Sequence, residues 1–323
     1  MKQDITNSNK YFLFFFFILL YLSLIIGFFY NEDSTGGAFL DYKGQKAVSE
    51  SFAADFNKTL LNYDNFATRH SPILIIFLSI FEKINISDEF IRLIHLHLSL
   101  SLPFGFYLLL KQSISNLEKK YILIIVGLIF VSPTFRSLSI WPDSRLLGLS
   151  CFVYSLIFYI LFLKTNRNIH LILNIFFYTV SAYISPNFAV FSLFFFYKYL
   201  KKYNFLDSKI IMFIILNILL CLPAFYYIFY LDINFLNKTA AITNQQELIF
   251  FNNISNQLLI IPTIFLFYVF PFFMTKILNI NFENIRMCIL ISIITFVLCI
   301  FYFNYQYSFT GGGIFFKLSN YLF

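Results

Sequence analysis

The sequence predicts an all-α, polytopic integral membrane protein. Hydrophobic residues make up 59% of the 323 residues and charged residues only 12%. The mean hydropathy is +0.75. Apolar runs of about 17 to 25 residues, the length that a helix needs to cross the hydrocarbon core, recur along the chain. No soluble domain of useful size remains, so we expect a single membrane domain over residues 1–323.

The first apolar run covers residues 11–30 and follows Lys2 and Lys10. It is too long for a secretory signal peptide and lacks the small-residue cleavage site. We therefore expect an uncleaved first span with a cytoplasmic N-terminus.

Eight more apolar runs bring the prediction to about nine transmembrane helices, given the length required of each. They lie at residues 91–110, 121–135, 145–163, 169–184, 186–200, 209–230, 257–275 and 286–303. A further run, residues 73–81, is too short to span the bilayer as a helix, so it predicts a re-entrant or interfacial segment.

The lysines and arginines fall in alternate connections, which assigns those connections to the cytoplasm. The basic connections are residues 111–120, 164–167, 198–209 and 276–286. The remaining connections then face outward, at residues 31–90, 133–145, 185–187, 231–256 and the C-terminal tail. The formal net charge of +7 thus reports topology, and we expect no nucleic-acid partner.

The four cysteines lie inside apolar runs and have no CxxC spacing. Neither a disulfide framework nor a zinc site is indicated.

The first extracytoplasmic loop, residues 31–72, is the main polar interval of the chain. Glu32, Asp33 and Asp41 follow the first span closely, separated by a Gly-Gly turn at 36–37. A carboxylate at the membrane surface beside another acid has a raised pKa and can serve as general base. The alternative is an acidic loop that is simply solvated.

Basic residues close the same loop. Arg69 and His70 precede Pro72 at the start of the short apolar run. They can pair with an anionic lipid phosphate. The alternative is that Arg69 only extends to lipid headgroups.

A second outward cluster contains Arg136, Asp143 and Arg145, with the chain's single tryptophan, Trp141. It offers two cations for a phosphate group. Its alternative interpretation is an interfacial aromatic anchor with headgroup contacts.

The order of these apolar runs and polar motifs resembles that of the GT-C glycosyltransferases. These are polytopic enzymes that take sugars from polyprenyl-phosphate carriers, and they include the protein mannosyltransferases and aminoarabinose transferases. The resemblance covers residues 11–200. It begins with a signal-anchor span and an acidic first loop. It continues with Arg69-His70-Ser71-Pro72, Arg92-Leu93-Ile94, Ser132-Pro133, Pro142-Asp143 and Ser185-Pro186-Asn187.

The resemblance implies a GT-C-like membrane core, a polyprenyl-phosphate-sugar donor, and a lipid, glycan or protein acceptor at the extracytoplasmic face. A first-loop acid would be the base, and basic residues would hold the departing phosphate. Asp41, before Tyr42 and a helix-compatible stretch, fits the base best. Glu32 and Asp33 are the rival assignment, or else ligands of a divalent metal such as Mg²⁺ or Mn²⁺, which some members use.

Three other functions stay open. A polymerase of surface polysaccharides usually has its working arginines in a large late loop, and residues 231–256 disfavour it because Lys238 is their only basic residue. A transporter of lipids or lipid-linked glycans would also need outward arginines, with ionisable residues at mid-membrane depth. A non-catalytic membrane protein predicts freely replaceable first-loop acids. We expect a multi-pass protein of a bacterial inner membrane, surrounded by membrane lipids.

Overall fold

The computed structural model describes residues 2–66, 71–114, 117–231 and 233, with side chains from Tyr11 onward. This part of the chain is all-helical. Its α-helices are α1 (Lys2–Phe29), α2 (Ala38–Ala54), α3 (Phe56–Leu61), α4 (Pro72–Lys83), α5 (Asp88–Ser99), α6 (Ser101–Ser113), α7 (Lys119–Gly127), α8 (Pro133–Ile140), α9 (Ser144–Thr165), α10 (Asn168–Ile184), α11 (Phe191–Lys202) and α12 (Ser208–Phe225). Short 3₁₀ turns cover Tyr63–Phe66, Leu128–Val131 and Pro186–Val190, and a π-helical turn covers Tyr226–Tyr230.

Short polar side chains fix where several helices begin. Ser71 and Ser132 accept a hydrogen bond from the first turn of α4 and α8, and proline follows each serine at the first helical position. Asp143 and Asp207 cap α9 and α12 in the same way. The capping oxygen accepts a hydrogen bond from a backbone N–H that has no partner within the helix. Proline at the first helical position sacrifices no helix hydrogen bond, because the N–H that it lacks would be unpaired there. The Ser-Pro pairs in the sequence are therefore helix starts.

Four described helices are long and apolar enough to cross a membrane: Tyr11–Phe29, Asp88–Ser113, Ser144–Thr165 and Ser208–Tyr230. Lys119–Val131 and Pro133–Ile140 together make a fifth if this pair, bent by 64°, is one span. A chain with several such helices is a membrane protein.

These four helices coincide with four of the nine predicted spans. The span expected at 121–135 is the bent pair, and that at 169–184 is α10, with only 17 residues. The span expected at 186–200 is a 3₁₀ turn followed by the 12 residues of α11. The spans expected at 257–275 and 286–303 lie outside the described residues. Within the described part, the predicted spans that are not single long helices either contain a proline, which interrupts the helix, or form a helix that is too short.

The segment between the first two spans, predicted to face outward, is largely helical in its described residues. Its α4 has 12 residues, about 18 Å at the α-helical rise, and packs against α2. Leu74, Ile75 and Leu78 of α4 are buried. The short apolar run at 73–81 therefore forms a helix that packs its apolar face on the neighbouring α2.

The helices α9 and α10 form an antiparallel hairpin with the most extensive packing in the described part. The buried rings of Phe162, Phe195 and Tyr199 join them to α11 and α12. A second apolar cluster around Leu24 and Ile140 joins α1, α5, α8 and α9. This second cluster supports the candidate site, which lies at the start of α9.

Candidate functional site

Two ion pairs tie the segment after α1 to the chain around α8 and α9. Asp41 pairs with Arg145, and Glu32 pairs with Arg136. Each pair joins residues 104 positions apart. The sequence motifs of the first outward loop and of the second outward cluster therefore meet in one region, at the outward end assigned from the lysine pattern.

The first pair is part of an acid–arginine–acid cluster. Asp41 lies in the first turn of α2, and its Oδ2 accepts a hydrogen bond of 2.9 Å from Arg145 Nη2. The same guanidinium donates to both oxygens of Asp143, at 2.9 Å from Nε to Oδ1 and 2.7 Å from Nη2 to Oδ2. Asp143 also accepts from the Arg145 backbone N–H and so caps α9. The buried Asp143 thereby holds Arg145 in one orientation.

Exposure differs sharply across this cluster. The Asp143 side chain is 2% exposed, whereas the Arg145 side chain is 48% exposed and that of Asp41 is 25% exposed. A cation that is anchored on one side and open on the other can exchange one partner for an anionic ligand. The Asp41–Arg145 contact is the part of the site that solvent and ligand can reach.

The second pair is more enclosed. Arg136 donates from Nε to Glu32 Oε1 at 2.7 Å and from Nη2 to Oε2 at 2.6 Å. It also donates to the carbonyl oxygen of Ser23 in α1, at 2.9 Å. The hydrogen bond from Arg136 holds the pKa of Glu32 below its usual value. A Cβ on Gly27 would lie 2.2 Å from the Glu32 carboxylate. This bidentate pair therefore fastens α8 to the end of α1.

Asp33 is occupied by the backbone of the α2 start. Its carboxylate accepts from the backbone N–H groups of Gly36, Ala38 and Phe39 at 3.1 to 3.3 Å. Gly36 has a φ of 75°, which glycine adopts without strain. Asp33 thus orders the turn that delivers Asp41 to Arg145.

Behind the ion pairs lies a buried arginine. The Arg92 guanidinium carbon is 3.6 Å from the centroid of the Trp141 ring, a cation–π contact. Arg92 Nη1 donates to Asn31 Oδ1 at 2.8 Å, and its Nη2 is buried without a hydrogen-bond partner. The Trp141 indole donates to the Glu32 carbonyl oxygen and packs on Phe39 at 4.7 Å between centroids. Trp141 is only 4% exposed, so its ring packs inside the protein.

A third polar contact fixes α2 to the start of α5. The Tyr42 hydroxyl donates to Asp88, and Lys46 Nζ donates to the same carboxylate oxygen at 3.1 Å. Burial, followed by the adjacent Asp88, raises the pKa of Tyr42. Tyr42 therefore stays protonated and acts as a hydrogen-bond donor. It points α2 so that Asp41, the preceding residue, faces Arg145.

The residues predicted for the site thus separate into groups. Asp41, Asp143 and Arg145 form one cluster, Glu32 and Arg136 form a second, and Asp33 caps the turn between them. Arg69 and His70 lie outside the described residues.

The donors available in the described part do not fit a divalent metal. Both oxygens of Glu32 accept from Arg136, and both oxygens of Asp33 accept from backbone N–H groups. No group of three or more His, Cys, Asp or Glu side chains among the described residues is arranged to hold a metal ion.

Arg92, Tyr42 and Asp88 had no role predicted from the sequence. One signal was present, because an arginine inside an otherwise apolar run is costly and has to find partners within the protein. The aromatic faces that receive it come from residues far away in the sequence and could not be inferred.

No protein-family model, curated protein or solved structure matches this chain. Its function is therefore argued from the chemistry of the Asp41–Arg145–Asp143 cluster.

Proposed function

We propose that this membrane protein is a glycosyltransferase with a GT-C-like membrane core, which moves a sugar from a polyprenyl-phosphate donor to an acceptor at the extracytoplasmic face. One observation carries the proposal. A first-loop carboxylate, Asp41, lies 2.9 Å from the half-exposed guanidinium of Arg145. Transfer from a phosphate carrier needs a base for the acceptor and a cation for the leaving group on opposite sides of the same sugar, so both groups must belong to one site.

In the proposed reaction Asp41 takes the proton of an acceptor hydroxyl. The acceptor oxygen forms a bond to the anomeric carbon as the bond from that carbon to the phosphate oxygen breaks. The phosphate leaves with the bonding electron pair, and Arg145 stabilises the charge that develops on it. A single in-line displacement of this kind inverts the anomeric configuration.

Asp143 has a positioning role in this mechanism. It is buried and occupies the Nε side of Arg145. The other edge of the guanidinium donates to Asp41 in this structure. The donor phosphate would bind to that edge. A phosphate that takes this edge also removes the Arg145 hydrogen bond from the Asp41 carboxylate, which makes that carboxylate a stronger proton acceptor. Donor binding would thereby prepare the base.

The test is sugar release from a panel of radiolabelled polyprenyl-phosphate sugars, with lipid, glycan and peptide acceptors, by the purified protein. Asp41→Asn is compared with Glu50→Gln, which removes an exposed acid of the same helix. We expect the parent and Glu50→Gln to consume at least one donor. Asp41→Asn should be slower by about 10²- to 10⁴-fold, the usual contribution of a general base.

The same experiment separates the other functions. Donor that moves across vesicle membranes without cleavage would replace this proposal with a transporter. Absence of both cleavage and transport by a folded parent across the panel would favour a non-catalytic protein.

A further inference from the structure

The end of the helices opposite the candidate site carries a cluster of lysines. The helix α9 begins beside Asp143, and its 22 residues extend about 33 Å at the α-helical rise. Lys164 lies in the last turn of α9, Lys202 in the last turn of α11, and Lys209 at the start of α12. We call these three residues the basic cluster.

The structure orders all three ammonium groups. Lys164 Nζ donates to the carbonyl oxygen of Gln112 at 2.6 Å, at the end of α6. Lys209 Nζ donates to Asn166 Oδ1 at 2.7 Å. Asn166 is the left-handed C-cap of α9, with a φ of 57°. These contacts use only one of the three N–H donors of each ammonium group.

Two of the lysines converge on the same pair of aromatic rings. Lys202 Nζ lies 5.6 Å from the Phe162 centroid and 5.3 Å from the Tyr203 centroid. Lys209 Nζ lies 5.9 and 4.7 Å from the same two centroids. The distances to Tyr203 keep the two nitrogens within about 10 Å of each other, so salt at 0.1 M only partly screens their repulsion.

No carboxylate neutralises the basic cluster within the described part of the chain. The salt bridges there involve other residues. The nearest acid along the chain, Asp207, accepts from the Lys209 backbone N–H as the cap of α12. Carbonyl groups, aromatic rings and the partial negative charge at a helix C-terminus attract a cation, yet they do not neutralise it as a carboxylate does. Two close, ordered and uncompensated cations at the end of membrane helices call for an external anion.

We propose that the basic cluster binds the phosphate of an anionic phospholipid in the leaflet at that end of the helices. The ammonium groups of Lys202 and Lys209 lie over Phe162, which is fully buried, and over Tyr203. The ammonium groups therefore lie where apolar protein meets the headgroup layer. An anionic lipid brings a net negative charge to this position, whereas a zwitterionic lipid brings none. The inference is independent of the proposed function.

Lipid binding by the purified protein tests this. The protein is titrated with phosphatidylglycerol and, separately, with phosphatidylcholine of the same acyl chains, and bound lipid is counted by native mass spectrometry. At about fivefold per lysine near an anionic surface, two lysines predict a preference of roughly 20- to 30-fold for phosphatidylglycerol. Lys202→Gln/Lys209→Gln should lose most of this preference. Lys43→Gln/Lys58→Gln, which removes the same charge from α2 and α3, should keep it.

Equal affinity of the parent for the two lipids would overturn the proposal. So would an equal loss of preference in the two double variants. If the Lys202→Gln/Lys209→Gln variant does not fold, salt provides the second measurement on the parent. Raising the salt from about 0.05 to about 0.5 M should weaken phosphatidylglycerol binding selectively, because the screening length falls severalfold. An unchanged preference at high salt would contradict the proposal.

Discussion

The pairs Glu32–Arg136 and Asp41–Arg145 use the same chemistry over the same sequence separation, but they differ in geometry and exposure. In the first pair the side chains are 24% and 16% exposed, and two parallel hydrogen bonds join them. In the second they are 25% and 48% exposed, and one hydrogen bond joins them. In the enclosed pair, Arg136 uses its N–H donors to bind Glu32 and the end of α1. The arginine of the open pair keeps an edge that an anion can take.

This difference shows that an acid beside an arginine does not mark a catalytic site by itself. The number of hydrogen bonds, the anchoring of the arginine from behind and its exposure decide the role. The following changes separate the two pairs by experiment.

The largest stability change is expected from Arg136→Met. It leaves the Glu32 carboxylate without its two guanidinium donors. We expect a loss of about 2–3 kcal/mol, below the range for fully buried pairs because Glu32 is partly exposed. Asp41→Asn should lose less than about 1 kcal/mol, because exposed pairs contribute little. Unfolding of the detergent-purified variants at one fixed scan rate gives both values, and equal losses would contradict the distinction.

The next largest change is expected from Gly27→Ala. The added Cβ would lie 2.2 Å from Glu32 Oε2 and 2.9 Å from Arg136 Nη2. The enclosed pair would have to move, which costs about 1–3 kcal/mol, and the helix propensity of alanine offsets about 0.5–1 kcal/mol of this cost. Gly44→Ala in α2 is the matched control, since nothing lies within 4 Å of its Cβ position. Alanine there should raise stability by about 0.5–1 kcal/mol through helix propensity. Unchanged unfolding of Gly27→Ala would mean that the pair is not enclosed.

A smaller change is expected at Asp33, the rival candidate for the base. Asp33→Ala removes the acceptor that orders the start of α2 and should cost about 1 kcal/mol. Asp33→Asn keeps an oxygen for this role and should restore most of that stability, with turnover close to that of the parent. Thermal unfolding and donor consumption are measured on the same preparations. Loss of turnover in a stable Asp33→Asn protein would transfer the role of base to Asp33.

The smallest expected effect is the pH dependence contributed by Glu32. The Arg136 hydrogen bond lowers the pKa of folded Glu32 from its usual 4.5. The stabilisation is therefore present above about pH 4.5 and is lost as the pH falls through the lowered pKa. Between about pH 6 and pH 3, Glu32→Gln should show a flatter fall in unfolding temperature than the parent. Glu50→Gln is the control and should follow the parent, and a Glu32→Gln profile parallel to the parent would contradict the assignment.

Much of the fold followed from local signals in the sequence. The four long helices lie where long apolar runs predict them, and the Ser71-Pro72 and Ser132-Pro133 pairs begin helices. The 64° bend between Lys119–Val131 and Pro133–Ile140 was not predicted. Run length alone does not tell a bent span from a straight one.

The residues of the site could be predicted from the sequence, but their pairing could not. Glu32 and Asp41 have the same spacing as Arg136 and Arg145, so the sequence alone allows either acid to pair with either arginine. The turn at Gly36 and the Tyr42–Asp88 contact select the pairing by setting the direction of α2. These are tertiary constraints, which lie beyond local propensity and spacing.

The central claim is that the open pair serves catalysis and the enclosed pair serves stability. The most direct test measures donor turnover and unfolding temperature together for Asp41→Asn and Glu32→Gln. We expect a crossed result. Asp41→Asn keeps the unfolding temperature of the parent and loses about 10²-fold or more in turnover, whereas Glu32→Gln unfolds at lower temperature and keeps most of its turnover where it remains folded. Full turnover by Asp41→Asn, or parallel loss of both properties in the two variants, would contradict it.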